Sequence, residues 1–162
     1  MALDATVAGE SANSYVTVTE ADTYLANHLE GETWNSKSTA EKERLLITAT
    51  RQIDSLRIKD EHLPYDDNQA LKFPRSYDTD ADGNPEIPQA VKDAVCEQAV
   101  FLLTSGTGRS KLQQAGVSDM RLGDMSESYV SLPDYRKVLS PEAARLIAPY
   151  IRLSGRIVCG RT

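Results

Sequence analysis

Cysteine and histidine are scarce in this chain, with two of each among 162 residues. Cys96 and Cys159 form neither a CxxC pair nor a zinc spacing with His28 or His62, so reduced thiols and no disulfide are expected. Both histidines lie outside any motif, and there is no GxSxG, so nucleophilic catalysis lacks a base placed beside a nucleophile. No run of eighteen apolar residues exists, which excludes a helical membrane span. Met1 to Ser11 has neither a basic patch nor an apolar stretch, so no standard secretory signal is expected. With a pI of 4.9, a continuous basic face for nucleic acid is also disfavoured. The expectation is a globular, non-enzymatic chain without a cofactor.

What is present is an uneven charge distribution. Residues 1–100 hold 9 basic against 19 acidic side chains, and residues 101–162 hold 9 against 5, so a net −10 faces a net +4. After Glu142 the only charges are Arg145, Arg152, Arg156 and Arg161, a basic arm suited to an acidic partner. Arg145 and Arg152 also fit the plainer role of complementing a helix C-terminus.

Helical periodicity dominates. Thr19 with Asp22 predicts a cap for a first helix with Ala21, Tyr24 and Leu25 inward, ended with the help of Gly31, after a short extended piece over Tyr15–Val18. Ser38 with Glu41 opens a helix to about Arg57 through Leu45, Leu46, Ala49, Ile53 and Leu56. A long connection, Ile58 to Ile87, carries Leu71, Phe73, Arg75 and Tyr77 as anchors. Pro88 precedes a third helix with Val91, Ala94, Val95, Gln98, Ala99, Leu102 and Leu103 on one stripe, whose end should be buried or pressed on another subunit. Short alternating pieces, Val117–Leu122 and Met125–Val130 around Gly123-Asp124, predict either a β-hairpin or an extended excursion. Ser140-Pro141 starts a last helix to about Leu153, with Ala144, Ile147, Ala148 and Ile151 inward and a kink at Pro149. The expected fold is mainly α, a bundle of about four amphipathic helices in one domain over 1–153, with an excursion over 105–137 and a tail over 154–162.

Three local patterns invite chemistry. Asp78, Asp80, Asp82 and Gly83 match the first half of a calcium loop, but position twelve is Gln89 and prolines interrupt it, which favours a turn that satisfies its own backbone. Residues 106–111 look like a phosphate loop without its GK[ST] ending and read as a helix stop. Lys72, Phe73, Arg75 and Tyr77 form a small basic and aromatic cluster.

In their order, several stretches resemble the head-tail connector, or adaptor, proteins of long-tailed double-stranded DNA phages. They are Asn13 through Asp22, Ala49 through Asp54, Leu71 through Arg75, Asp82-Gly83, Ile87-Pro88, Leu122 through Tyr129 and Leu146 through Ile151. The aromatic before Pro-Arg is Phe73 where that family often has Trp. Some relatives carry a label as DnaT-like single-stranded DNA-binding proteins, which gives the alternative function. The resemblance implies a virion protein, made in the host cytoplasm, that forms a ring, typically of twelve copies. The ring would sit between the portal and a stopper or tail-terminator protein and line the channel for passing double-stranded DNA. On that reading Arg152, Arg156, Ile157, Val158 and Arg161 meet the portal or a neighbouring subunit, and Met120, Leu122, Met125 and Tyr129 meet the lumen, a neighbour or the next ring.

Overall fold

The computed structural model describes residues 2–59, 63–104 and 139–152, together with the backbone of 119–122 and 125–128. It is mainly helical. The helices are α1 (Val18–Leu25), α2 (Gly31–Asn35), α3 (Thr39–Asp54), α4 (Gln89–Thr104) and α5 (Pro141–Ile147), the last running into a 3-10 turn over Ala148–Tyr150. Between α4 and α5, β1 (Asp119–Leu122) pairs antiparallel with β2 (Met125–Ser128), with Leu122 opposite Met125 and Met120 opposite Glu127. Of the two expectations for this segment, the strand pairing of a hairpin is the one present over these residues.

Helix α4 is the centre, with α3 packed on one side and α5 on another. Its apolar stripe explains why: Val91, Ala94, Val95, Ala99 and Val100 are all buried, facing Leu46, Ala49 and Ile53 of α3 and Ala143, Ala144 and Ile147 of α5 in one core. Leu102 and Leu103 are only partly buried, so the end of α4 is less enclosed than its pattern suggests. The small residues let the helices approach closely, and the polar Gln98 sits among them at 0% exposure.

Capping chemistry sets the helix starts, in one case two residues from the expected place. The N-cap of α1 is Thr17, not Thr19: Glu20 N donates to Thr17 Oγ1 at 3.2 Å, and the Glu20 carboxylate accepts from Thr17 N at 2.8 Å. Asp22 is thereby released from capping. Ser38 does start α3, its N–H donating to Glu41 at 3.0 Å, and Ser140 Oγ caps α5 by accepting from Ala143 N at 3.0 Å. Helix α5 ends at Ile147, earlier than the expected Leu153. Pro149 lies in the 3-10 turn and does not kink a longer helix, because it has no N–H to continue one. Tyr15–Val18 is a bend running into α1 and not a strand, although Tyr15 and Val16 are buried.

Gly31 begins α2; it does not simply end α1. A Cβ at this position would lie 2.6 Å from the Leu25 carbonyl oxygen, so only glycine allows the two helices to meet there. The unexpected α2 carries Trp34, fully buried, whose Nε1 donates to Asp22 at 2.7 Å. Lys42 of α3 reaches the same Asp22 oxygen at 2.8 Å and lies over the Trp34 ring, 5.4 Å from its centroid. Partial burial acts to raise the Asp22 carboxyl, but the hydrogen bonds from Lys42 and Trp34 and the Lys42 charge outweigh it and hold the group below its ordinary 3.8. A carboxyl lowered in the fold adds stability that is complete above its unfolded pKa and is lost as pH falls through the folded value. Wild-type protein should therefore lose thermal stability from about pH 5 to about pH 3 more steeply than Asp22→Asn, measured by circular dichroism melts. Parallel curves would remove this trio from the acid response.

Candidate functional site

The long connection is tied down at its middle. Phe73 is 2% exposed and packs edge-on against Tyr15 at 5.9 Å and Tyr150 at 5.5 Å, joining the N-terminal segment to the 3-10 turn. The Phe73–Pro74 peptide bond is cis. Behind the ring, the Tyr15 hydroxyl donates to Asp54, Lys72 N donates to Asp54 at 2.8 Å, and Phe73 N donates to the Tyr15 oxygen at 3.3 Å. Burial, then the Asp54 carboxylate, push the Tyr15 phenol well above its usual range, so it stays a neutral donor. Leu71 is half-buried and packs against the core, whereas Tyr77 is 76% exposed.

The turn after Tyr77 is the Asp-rich segment. Asp80 accepts from Asp82 N and Asn84 N, each at 2.9 Å, and from Asn84 Nδ2 at 3.0 Å, while Asp78 accepts from Arg75 N at 2.8 Å. Gly83 has φ +86°, the left-handed value such a turn demands. The carboxylates of Asp80 and Asp78 are thus occupied by the loop. Among the described residues Asp78, Asp80 and Asp82 form no group that could hold a metal ion.

The chain makes a second junction. Ile58 and Ile151 form an isolated antiparallel bridge, with Lys59 N donating to Tyr150 O at 2.9 Å and Arg152 N to Arg57 O at 3.0 Å. The junction brings Arg57 and Arg152 together with Lys72 and Arg75, so that Arg57, Ile58, Lys72, Arg75 and Arg152 line one pocket of about 330 Å³. Two groups of residues that the sequence singled out separately, the loop anchor Arg75 and the tail residue Arg152, therefore share one site. Arg57 and Ile58 join them without any motif to announce it; only the bridge to Ile151 puts them there.

The family comparison covers nearly the whole of this structure: residues 1–161 match the family described as "Putative DnaT-like ssDNA binding protein". The chain belongs to that family. No curated protein and no solved structure matches it.

In this DnaT-like family member the remaining candidates are dispersed. The backbones of Met120, Leu122 and Met125 lie on β1 and β2, while Tyr129, Arg156, Ile157, Val158 and Arg161 fall outside the described residues, as do His62, Cys159, residues 106–111 and the tail over 154–162. His28 accepts from Glu30 N at 3.1 Å through Nδ1, and its Nε2 lies 3.6 Å from Glu97, a helix-end arrangement beside no nucleophile among the described residues. Cys96 is a free, buried thiol that burial, with Asp93 and Glu97 adding to it, pushes far up. Arg145 pairs with Glu142 at 2.9 Å on the exposed face of α5, the plain helix-end role. No helix of the described residues is long and apolar enough to cross a membrane.

Proposed function

We propose that this protein is a structural subunit of a phage virion, a head-tail connector that assembles into a ring beneath the portal and receives the stopper or tail protein on its other side. The observation that carries the reading is the excursion between α4 and α5. These helices pack directly on each other, and Gln98 of α4 ties the start of α5, its Oε1 accepting from Ser140 N at 2.7 Å. The described chain therefore ends α4 at Thr104 and resumes at Leu139, next to the Ser140 that meets Gln98, with an antiparallel strand pair between them in sequence. A two-stranded hairpin alone is marginal in water and needs a surface to rest on. Met120, Leu122 and Met125 are large apolar residues on it, and a neighbouring subunit supplies such a surface. A ring contact is heterologous and needs two unlike faces, and the opposed charge of the chain's acidic first part and basic last part is compatible with that. The role is assembly, with no reaction to catalyse.

Electron microscopy of particles produced with and without the chain tests this. Without it, filled heads lacking tails are expected; adding purified protein should restore joining, and Leu122→Asp with Tyr129→Asp should not, while its helical signal is unchanged. Tailed particles that contain none of the polypeptide would overturn the reading.

A second reading, single-stranded DNA binding, is favoured by the family's description and by the four cations of the pocket. It requires tight oligonucleotide retention that weakens with salt by about 0.7 log units per log unit of salt for each phosphate neutralised. The connector reading requires little retention.

A further inference from the structure

We infer that the groove between α1 and α4 receives the basic arm of a second copy of this chain, residues 154–162. The choice of partner rests on the connector reading, in which copies must meet. The groove measures about 360 Å³, with Thr23 and Tyr24 of α1 and Asp93 and Cys96 of α4 among its lining residues. Val16 and Cys96 also line it and are buried, which gives it an apolar floor, and Thr23 stands exposed on its rim. Two contacts hold the helices side by side: Lys92 Nζ meets Glu20 at 2.9 Å, and the Tyr24 hydroxyl donates to Glu97 at 3.0 Å.

Charge decides what such a groove takes. Lys92 and Glu20 neutralise each other as a pair. Asp93 is half-buried and accepts from the Gln89 amide at 2.7 Å, while Glu97, one turn further on, accepts from the Tyr24 hydroxyl. Both donors are neutral, so both carboxylates keep their charge; besides Lys92, His28 approaches them, 3.6 Å from Glu97. The side chains at the groove respond to this excess. Burial, then Glu97 and Asp93, push the Tyr24 phenol far above its usual range. At the Cys96 thiol, Asp93, Glu97 and Glu20 reinforce the upward push of burial, and Lys92 opposes them.

An apolar floor under an anionic rim suits a segment that is both apolar and cationic, and it repels a phosphate chain. Residues 154–162 have that chemistry: they contain no acid, and Ile157 and Val158 stand between Arg156 and Arg161. A branched aliphatic pair can cover the floor, while arginine lays its stem on apolar surface and turns its guanidinium to a carboxylate. The acids belong to the first part of the chain and the arginines to its end. Each copy would therefore offer a groove to one neighbour and an arm to another, which is a heterologous contact that closes into a ring.

The test uses the full chain carrying Arg156→Glu and Arg161→Glu, which keeps the groove and disables the arm. A synthetic peptide of residues 154–162 should give saturable NMR shifts at the amides of Thr23, Gln89, Asp93 and Cys96. Adding Asp93→Asn should weaken the peptide about fivefold. Adding Thr23→Trp, which fills the groove from an exposed position, should abolish binding with unchanged melting. Wild-type protein should show the same shifts only as its concentration rises, together with faster sedimentation. Shifts present at every dilution would mean that the arm lies on its own chain and would overturn the inference. Peptide shifts that do not saturate, that fall elsewhere, or that survive Thr23→Trp would overturn it too. If Thr23→Trp protein joins heads to tails as well as wild type, the groove contact fails and the connector reading stands. If tailed particles contain none of the polypeptide, the connector reading fails, and the titration and dilution results still decide the contact.

Discussion

Replacing Phe73 by alanine is expected to lower the unfolding free energy by about 4 kcal/mol and the thermal midpoint by roughly 10 °C. The ring is almost wholly enclosed, and it fills the space between Tyr15 and Tyr150, so its loss opens a cavity where the N-terminal segment, the long connection and the 3-10 turn meet through aromatic rings. The backbone bonds from Lys72 and Phe73 to Asp54 and Tyr15 do not depend on the side chain, and the change isolates packing from hydrogen bonding. Phe73→Leu keeps most of the volume but loses the edge-on contacts, and should cost about 1 kcal/mol. Tyr77→Ala, at an exposed position, should stay within about 0.5 kcal/mol. Urea unfolding of the three variants would measure the differences. A Tyr77→Ala effect equal to that of Phe73→Ala would mean that the connection is held at its exposed end.

Phe73 and Tyr77 show what patterning can and cannot reveal. Both are aromatics in one polar loop, and local sequence gives no reason to bury one and expose the other. The difference is set by residues distant in the chain: Tyr15 and Tyr150 stand around Phe73, whereas the turn after Tyr77 closes on its own aspartates. Where burial follows from periodicity within one helix, the reading holds, as at Leu46, Ala49 and Ile53 of α3 and at Val91, Ala94, Val95 and Ala99 of α4. Local turn chemistry was legible too, in the Ser38 and Ser140 starts, the hairpin and the Asp80 turn.

Short elements were not legible. Helix α2 has five residues, too few for an apolar period, and its reason for existing is tertiary: Trp34 must reach Asp22 and sit beneath Lys42. The same holds for the basic pocket. Lys72 and Arg75 form a visible basic pair, and Arg152 begins a visible basic arm, but only the pairing of Ile58 with Ile151 unites them with Arg57. A bridge of one residue pair leaves no alternation to detect.

The second large effect is expected at Gln98, where Gln98→Leu should destabilise the protein by about 3 kcal/mol despite its apolar surroundings. Gln98 is fully buried, donates to Gln52 Oε1 at 2.7 Å and accepts from Ser140 N at 2.7 Å, so one side chain links α3, α4 and the start of α5. Leucine matches its bulk closely but leaves the Ser140 amide, itself buried, with no acceptor, and a buried donor left unpaired costs more than an ordinary hydrogen bond contributes. Gln52 is only half-buried and can turn to water, so Gln52→Ala should cost about 1 kcal/mol. The consequence is local. Ser140 is the N-cap of α5, and this helix packs against α4; loosening the cap loosens the start of α5 from α4. Amide exchange in α5 should accelerate in Gln98→Leu beyond that in α3, a sign of partial opening in advance of global unfolding. Equal acceleration in both helices would show that Gln98 supports the core as a whole, and that the base of the excursion is held by the apolar contacts of Ala143, Ala144 and Ile147 alone.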